Sequence, residues 1–355
     1  MNDLDFAAVH EELRDVARDL LGAGPPDVRQ LADAGWLGLE LPEELGGAGA
    51  TFAEVAVVLE EMGRAATPGP YLGTAVLGAG ALALLAPNPD AEALGRLVAT
   101  GERTLAVALP TGDDREPPFR LERTGGGLRV HGRATFVPDA PTADRLLLVA
   151  RGDDGEPVVV VVHDDHPGLE VAAQPVLDAT RDLGTVAAPG LEVGERQVWR
   201  FAGPGDDAVR RLADRGAAAV ACDSLGLAAA MLDATVAYAG ARHQFGRPIG
   251  SFQAVKHACA DMLVAVSVAR ELVAQAVAGV VAGDEAGSRA VARAKAHVSS
   301  AAVDVVGTAL QLHGGIGYTW ESGLHVHFKR ATLDRSLFGS PRAHRQRLAG
   351  SLPGC

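Results

Sequence analysis

Cysteine is scarce: the 355 residues hold three, Cys222, Cys259 and Cys355, widely spaced and with no C-x-x-C pair. That excludes a cysteine zinc site and leads to an expectation of a reducing, cytoplasmic setting. Positive charge is also short, with 32 Lys and Arg against 45 Asp and Glu and a net charge of −13. Nothing in that balance offsets repulsion from phosphates, so no nucleic-acid partner is expected. The start M-N-D-L-D-F carries acids where a secretory leader carries bases, and no leader-type apolar core follows. The most apolar early run, Leu72 to Leu85, is broken by Gly73, Gly78 and Gly80 and stops at Ala86-Pro87. It is too short to span a bilayer and reads as buried helix, so a soluble protein with no membrane partner is expected. Internal repeats, low-complexity linkers, Ser-His-Asp sets and Walker-type loops are all missing.

What is present is an ordinary globular composition, 48% hydrophobic and 22% charged, on a chain long enough for two or three subdomains. Residues 1–103 read as an N-terminal helical domain: Phe6, Val9, Leu13, Val16, Leu20 and Leu21 recur at helical spacing, and Pro25-Pro26 breaks the run. Thr51 is placed to cap a helix through Met62. Its Glu60 and Glu61 read as a solvated face rather than as catalytic groups. Residues 104–205 change texture to short runs such as T-L-A-V-A-L and P-V-V-V-V-V-H, separated by Gly, Asp and Pro. An antiparallel β-barrel or sheet domain is expected there, with R-T-G-G-G-L as a hairpin turn. Residues 206–355 return to Ala-rich helical patterns, near 207–241, 251–282, 287–312 and 321–349. The alanines suit closely packed helices of a four-helix bundle. The fold class is α+β.

Two punctuated stretches interrupt the last domain. Arg242 to Gln253 reads R-H-Q-F-G-R-P-I-G-S-F-Q, and Gln311 to Tyr318 reads Q-L-H-G-G-I-G-Y. The first sets Arg242 and Arg247 beside a helix end, whose unpaired backbone groups and neighbouring guanidinium forks suit a phosphate. The alternative is that Arg242 caps its own helix C-terminus, where a cation is favoured. In the second stretch, Gly314-Gly315 either lets a flat ligand approach the backbone or ends a helix.

Together, about sixty residues apart, R-x-x-F-G-x-P-I-x-x-F-Q and Q-x-x-G-G-x-G-Y resemble the C-terminal signature of the acyl-CoA dehydrogenases. The layout of nearly the whole chain is similar to that family. The wording, with the tail H-F-K-R-A…L-F-G-S-P-R-A-H-R, most resembles the shorter subunit of bacterial heteromeric members, which act on CoA thioesters of bulky acids such as steroid side chains. The resemblance implies FAD as cofactor and an acyl-CoA substrate, with an electron-transfer flavoprotein as electron acceptor. It implies that Arg242 meets the FAD pyrophosphate of a neighbouring subunit, with Phe245 at the adenine side and Gln253 near the pyrophosphate or ribityl region. It assigns Gln311, Gly314 and Gly315 to the adenosine end.

The chain departs from the family where chemistry is most demanding. Removing a thioester α-proton needs a carboxylate near Cα and donors on the thioester oxygen. In many members that base is a Glu before Gly-Thr/Ser; the matching segment here is Ser336-Leu337-Phe338-Gly339-Ser340, and Phe338 accepts no proton. The family's alternative position falls near Gly216–Ala217, without an acid. Asp223, the one carboxylate inside A-A-A-V-A-C-D-S-L-G-L, is then the candidate base, with its carboxyl made more basic by burial. A structural hydrogen bond to a neighbouring helix is the alternative. The family's flavin-ring contacts, a Thr-Glu-Pro-x-x-Gly-Ser-Asp loop and a Trp-Ile-Thr strand, correspond to Ala108-Leu-Pro-Thr-Gly-Asp-Asp and Thr135-Phe-Val-Pro, where Thr111 is a candidate polar contact and most of the ring-binding pattern is gone. The chain thus keeps what serves a neighbour's flavin and lacks much of what holds its own, as a heteromeric partner subunit would. A self-sufficient homodimer using Asp223, a non-catalytic structural subunit, and an oxidase or monooxygenase of the same fold are the rival readings. His313, His325, His327 and His344 have no acid or cysteine pattern beside them, so a surface or interface role is expected and no metal site.

Overall fold

The computed structural model describes residues 3–110, 113, 116–125, 127–319 and 323–350, with the side chains of residues 3–7 and of Tyr318 excepted. Helices come first: α1 (Asp3–Gly22), α2 (Val28–Asp33), α3 (Phe52–Ala65), a π-helix (Leu72–Ala79) running into α4 (Gly80–Leu82), and α5 (Pro89–Ala99). Their starts follow local chemistry. Asp27 and Gln30 form a reciprocal capping box on α2. Thr51 accepts the Ala53 N–H at 3.1 Å while Glu54 accepts the Thr51 N–H at 2.9 Å. Strands follow: β1 (Leu105–Ala108), β2 (Phe119–Thr124), β3 (Gly127–Pro138), β4 (Arg145–Arg151), β5 (Pro157–His163), β6 (Glu170–Ala173), β7 (Leu183–Val193) and β8 (Val198–Arg200). Then come α6 (Gly205–Ala241), a small hairpin of β9 (His243–Gln244) and β10 (Arg247–Pro248), α7 (Gln253–Ala282), α8 (Glu285–His313), α9 (Leu324–Ser336) and α10 (Pro341–Gly350). Gly283, at φ +68°, ends α7, and Asp284 caps α8 through the Gly287 N–H at 2.7 Å.

The chain forms two compact units. One holds residues 1–24, 56–67 and 217–355; the other holds 25–55 and 68–216. In the second unit the eight strands form one sheet with the path β6-β7-β3-β2-β4-β5-β8, and β1 pairs with β4. The sheet is mixed, not antiparallel throughout: β1 and β2 both run parallel to β4. The β2–β3 hairpin closes at Thr124↔Gly127, at the G-G-G turn. Alternating side chains of β2 to β7, among them Phe119, Val130, Leu146, Val160 and Val186, form its core. The buried run read as helix is a wholly buried π-helix, and two side chains hold its irregular backbone. Asp139 accepts the Gly73 N–H at 2.6 Å, and Arg215, paired with Glu40, donates to the Val76 carbonyl. Burial pushes the Arg215 guanidinium down to about 9.

In the first unit, α3 and α6 cross so closely that a Cβ on Gly63 would strike the Asp223 main chain, and one on Gly226 the Glu60 carbonyl. Glu60 and Glu61 are not solvated. Glu61 is 2% exposed and takes two hydrogen bonds from Arg18, while Glu60 pairs with Arg270 at 2.8 Å. The terminal helix expected near 321–349 is two, α9 and α10, parted at Leu337–Ser340 where Phe338 and Gly339 take φ +57° and +98°. By length and composition α6 and α7 could each cross a membrane; the apolar window of α6 is 83% buried and that of α7 only 28%.

Candidate cofactor-binding site

At its carboxyl end α6 gives way to the β9–β10 hairpin, registered Arg247↔Gln244 and Pro248↔His243. The two loop residues, Phe245 and Gly246, have φ +52° and +77°. Positive φ at both positions marks a two-residue type I′ turn, which ordinarily takes Asn-Gly. Phenylalanine there costs roughly 1–2 kcal/mol of backbone strain, and its side chain is 90% exposed. Its ring meets Phe252 edge-on at 6.1 Å, and the Arg247 guanidinium lies over the Phe252 face at 4.1 Å. The hairpin folds back on α6: the Ile249 N–H donates to the Arg242 carbonyl at 2.7 Å, and Gly250 sits against Ala239. Gln253, exposed, opens α7. Arg242 is exposed, and no described residue bonds its guanidinium. It does not cap its own helix; His243 Nδ1 meets the Ala241 carbonyl instead, at 3.0 Å.

The second stretch follows α8. Gly314 (φ +62°, ψ −141°) donates its N–H to the Gln311 carbonyl, so it is a helix cap as well as half of the glycine doublet. Only glycine adopts that conformation readily. At Gly317 a Cβ would lie 2.8 Å from the Leu310 carbonyl, whereas at Gly315 it would meet nothing within 4 Å. Packing therefore demands glycine at 317 and demands nothing at 315, which faces open space beside the exposed Gln311. Within one compact unit, the second stretch meets the helix that leads into the first. The Tyr238 ring, one turn before Arg242, stacks on His313 with centroids 4.4 Å apart and planes 21° from parallel. A guanidinium that no described residue bonds, an exposed aromatic ring and a glycine backbone open to approach are groups that fit the adenosine-diphosphate end of FAD.

Asp223 is not placed as a base. It is 1% exposed, and Arg330 holds both its carboxylate oxygens, Nε at 2.9 Å and Nη2 at 2.5 Å. Arg330 also donates to the Thr67 carbonyl at 2.6 Å. A carboxylate gripped at both oxygens inside the protein has no face left for a substrate, so the structural alternative holds. Phe338, 3% exposed, leaves no acid in the Leu337–Ser340 loop. That loop is pinned by its main chain: Lys295, fully buried, donates to Arg335 O at 3.2 Å and Gly339 O at 2.9 Å, and His344 Nε2 meets Phe338 O at 2.9 Å. His313 and His344 are thus buried, not surface groups, at 8% and 1% exposure. His327 is half-buried, with Nε2 on the Arg64 carbonyl at 3.1 Å.

In the other unit, Phe136 stands at a β-bulge in β3 with φ +55°, and its N–H donates to Gln174 Oε1 at 2.9 Å. Pro138 has neither N–H nor hydroxyl to offer a ring, and Thr111 lies outside the described residues. In the described part of this stretch, Phe136 and Pro138 offer no side-chain hydrogen bond to a flavin ring. Sequence reasoning missed Tyr238, Arg330 and Lys295. Arg330 had a signal, since an acid inside an apolar helical run calls for a cation elsewhere in the chain.

Comparison with known proteins identifies the family. The family model described as "Acyl-CoA dehydrogenase, C-terminal domain" matches residues 203–352, and "Acyl-CoA dehydrogenase, N-terminal domain" matches residues 6–88. The chain is 34% identical over 340 residues to acyl-CoA dehydrogenase IpdE2 of Mycolicibacterium smegmatis, covering 95% of this chain and 91% of that one. Among solved structures it is similar to the Tcur3481-Tcur3483 steroid ACAD G363A variant (30% identity, TM-score 0.85, 97% of each chain). It is also similar to the ChsE4-ChsE5 complex from Mycobacterium tuberculosis (29% identity, TM-score 0.86, 98% and 97% of the two chains). With both signatures present and these matches spanning nearly its whole length, the chain belongs to the acyl-CoA dehydrogenase family, whose cofactor is FAD.

Proposed function

We propose that this chain is one subunit of a flavoprotein oxidoreductase that removes hydrogen across Cα–Cβ of a CoA thioester, and that it serves the FAD of a partner chain of the same fold. The observation that carries this reading is that His313 of the second signature packs on Tyr238, one turn before an Arg242 whose guanidinium no described residue bonds. FAD, when bound, takes the hydride from Cβ. Arg242 would neutralise diphosphate oxygens with its planar fork, Gln253 would hydrogen-bond beside it, and Phe245 would cover the adenine. Gln311, Gly314 and Gly315 would hold the adenosine end. The α-proton must pass to a carboxylate, and the partner supplies it, because Phe338 is apolar and Asp223 is committed to Arg330.

The exposed apolar face of α7, with Leu263 at 55% and Val264 at 62%, supports assembly with another chain. The name of the ChsE4-ChsE5 complex supports a paralogous partner, and that of the steroid ACAD supports a bulky acyl group. Electrons would pass on to an electron-transfer flavoprotein in the cytoplasm.

Co-expression tests this. The chain alone should purify colourless. With its paralogue it should be yellow, carry fewer flavins than chains, and bleach on adding acyl-CoA; Arg242→Ala should strip the flavin. A chain that is yellow and bleached by acyl-CoA on its own is a self-sufficient homodimer. Full flavin retention by Arg242→Ala makes the chain a structural subunit, and oxygen uptake without an acceptor makes the enzyme an oxidase.

A further inference from the structure

Tyr238 and His313 carry no group assigned to the cofactor, yet through them the second signature touches the helix that leads into the first. Tyr238 lies one helical turn before Arg242, and its main-chain carbonyl accepts the Arg242 N–H at 2.8 Å. Its hydroxyl donates to the His313 carbonyl at 3.5 Å. That carbonyl belongs to the peptide joining His313 to Gly314, the residue that turns the chain. The imidazole is itself fixed, since Nδ1 meets the Ala309 carbonyl at 2.8 Å and the residue is 8% exposed. A ring tied at one nitrogen and covered on one face by a second ring has a single orientation.

We propose that the Tyr238–His313 stack is the positioning pair of this surface: it sets the separation between the Arg242 guanidinium and the Gly314–Gly315 turn so that both reach one diphosphate-bearing ligand. The inference rests on the FAD reading above. A ligand gripped at two points loses affinity when the spacing of those points is free to drift, even if both points survive. The stack acts on that spacing: it bonds one signature through a carbonyl and supports the other through the same turn of α6. Neither residue need touch the ligand.

The test is titration of the flavin-stripped assembly with FAD, read by quenching of flavin fluorescence. Tyr238→Leu, which keeps apolar bulk without a ring, should weaken FAD binding about tenfold, and Tyr238→Phe, which keeps the stack, only about twofold. His313→Leu should match Tyr238→Leu, and the double variant should be no weaker than either single change. In an Arg242→Ala background, Tyr238→Leu should add less than about a twofold loss, because the group it positions is gone. Packing alone would lower the melting temperature without that coupling. The proposal is overturned if Tyr238→Leu binds FAD as the parent does, or if its loss persists in full beside Arg242→Ala. Failure of the underlying FAD reading appears separately, as an Arg242→Ala protein with unchanged affinity. Should Tyr238→Leu not fold, Tyr238→Trp displaces the His313 ring while filling the site and carries the same comparison.

Discussion

At the scale of single residues, the Asp223–Arg330 pair shows how a buried charge differs from a catalytic one. Side-chain exposures of 1% and 3% leave water no access, so each ion depends on the other. Removing one partner of such a pair costs roughly 3–5 kcal/mol, most of it the stranded charge. Asp223→Asn should therefore lower the denaturant midpoint strongly while leaving turnover per folded assembly near the parent's. A large loss of turnover with stability intact would return Asp223 to the reaction. His327, beside this pair, is disfavoured in its charged form. Burial holds its imidazole below the ordinary 6.5, and Arg330 pushes in the same direction, while the Arg64 and Gly323 carbonyls and Asp223 oppose. The unfolded chain thus takes up a proton that the folded chain refuses. Its contribution to stability is complete above about pH 6.5 and is lost as pH falls through the folded value. His327→Gln should flatten the fall in urea midpoint between about pH 7 and pH 5; a parallel fall in parent and variant would remove the assignment.

Among elements, the Phe245 turn is the one whose local chemistry opposes its conformation. Left-handed strain at Phe245 amounts to roughly 1–2 kcal/mol and its edge contact with Phe252 returns roughly 0.5–1.5 kcal/mol, so the two nearly cancel. Phe245→Asn, which suits the turn but has no ring, should change stability by less than about 1 kcal/mol and still weaken FAD binding. Denaturation and flavin titration on the same samples decide it: affinity unchanged would make the ring idle. Elsewhere the elements were legible where side-chain pattern decides structure and illegible where a distant partner does. The capped helices and the strand-rich middle were readable because caps, alternation and turn residues are local. The π-helix depends on Asp139 and Arg215, and the parallel pairing of β1 depends on β4. The break between α9 and α10 depends on Lys295. None of these partners is near in sequence.

Across the whole molecule, the candidate cofactor residues were readable because each set is a continuous stretch with unusual residues, whereas the contact of His313 with the helix before Arg242 uses Tyr238, which lies outside both stretches. Helical, strand-rich and helical textures could be read in chain order, but compactness follows a different partition. The first unit collects residues 1–24 and 56–67 with 217–355. That partition bears on biosynthesis. Arg18 of α1 emerges early and finds Glu61 soon after, but the rest of their unit is still to be translated and an entire sheet must be made in between. A chain stalled anywhere before Ala217 therefore holds α1 and the end of α3 without the helices that complete their compact unit.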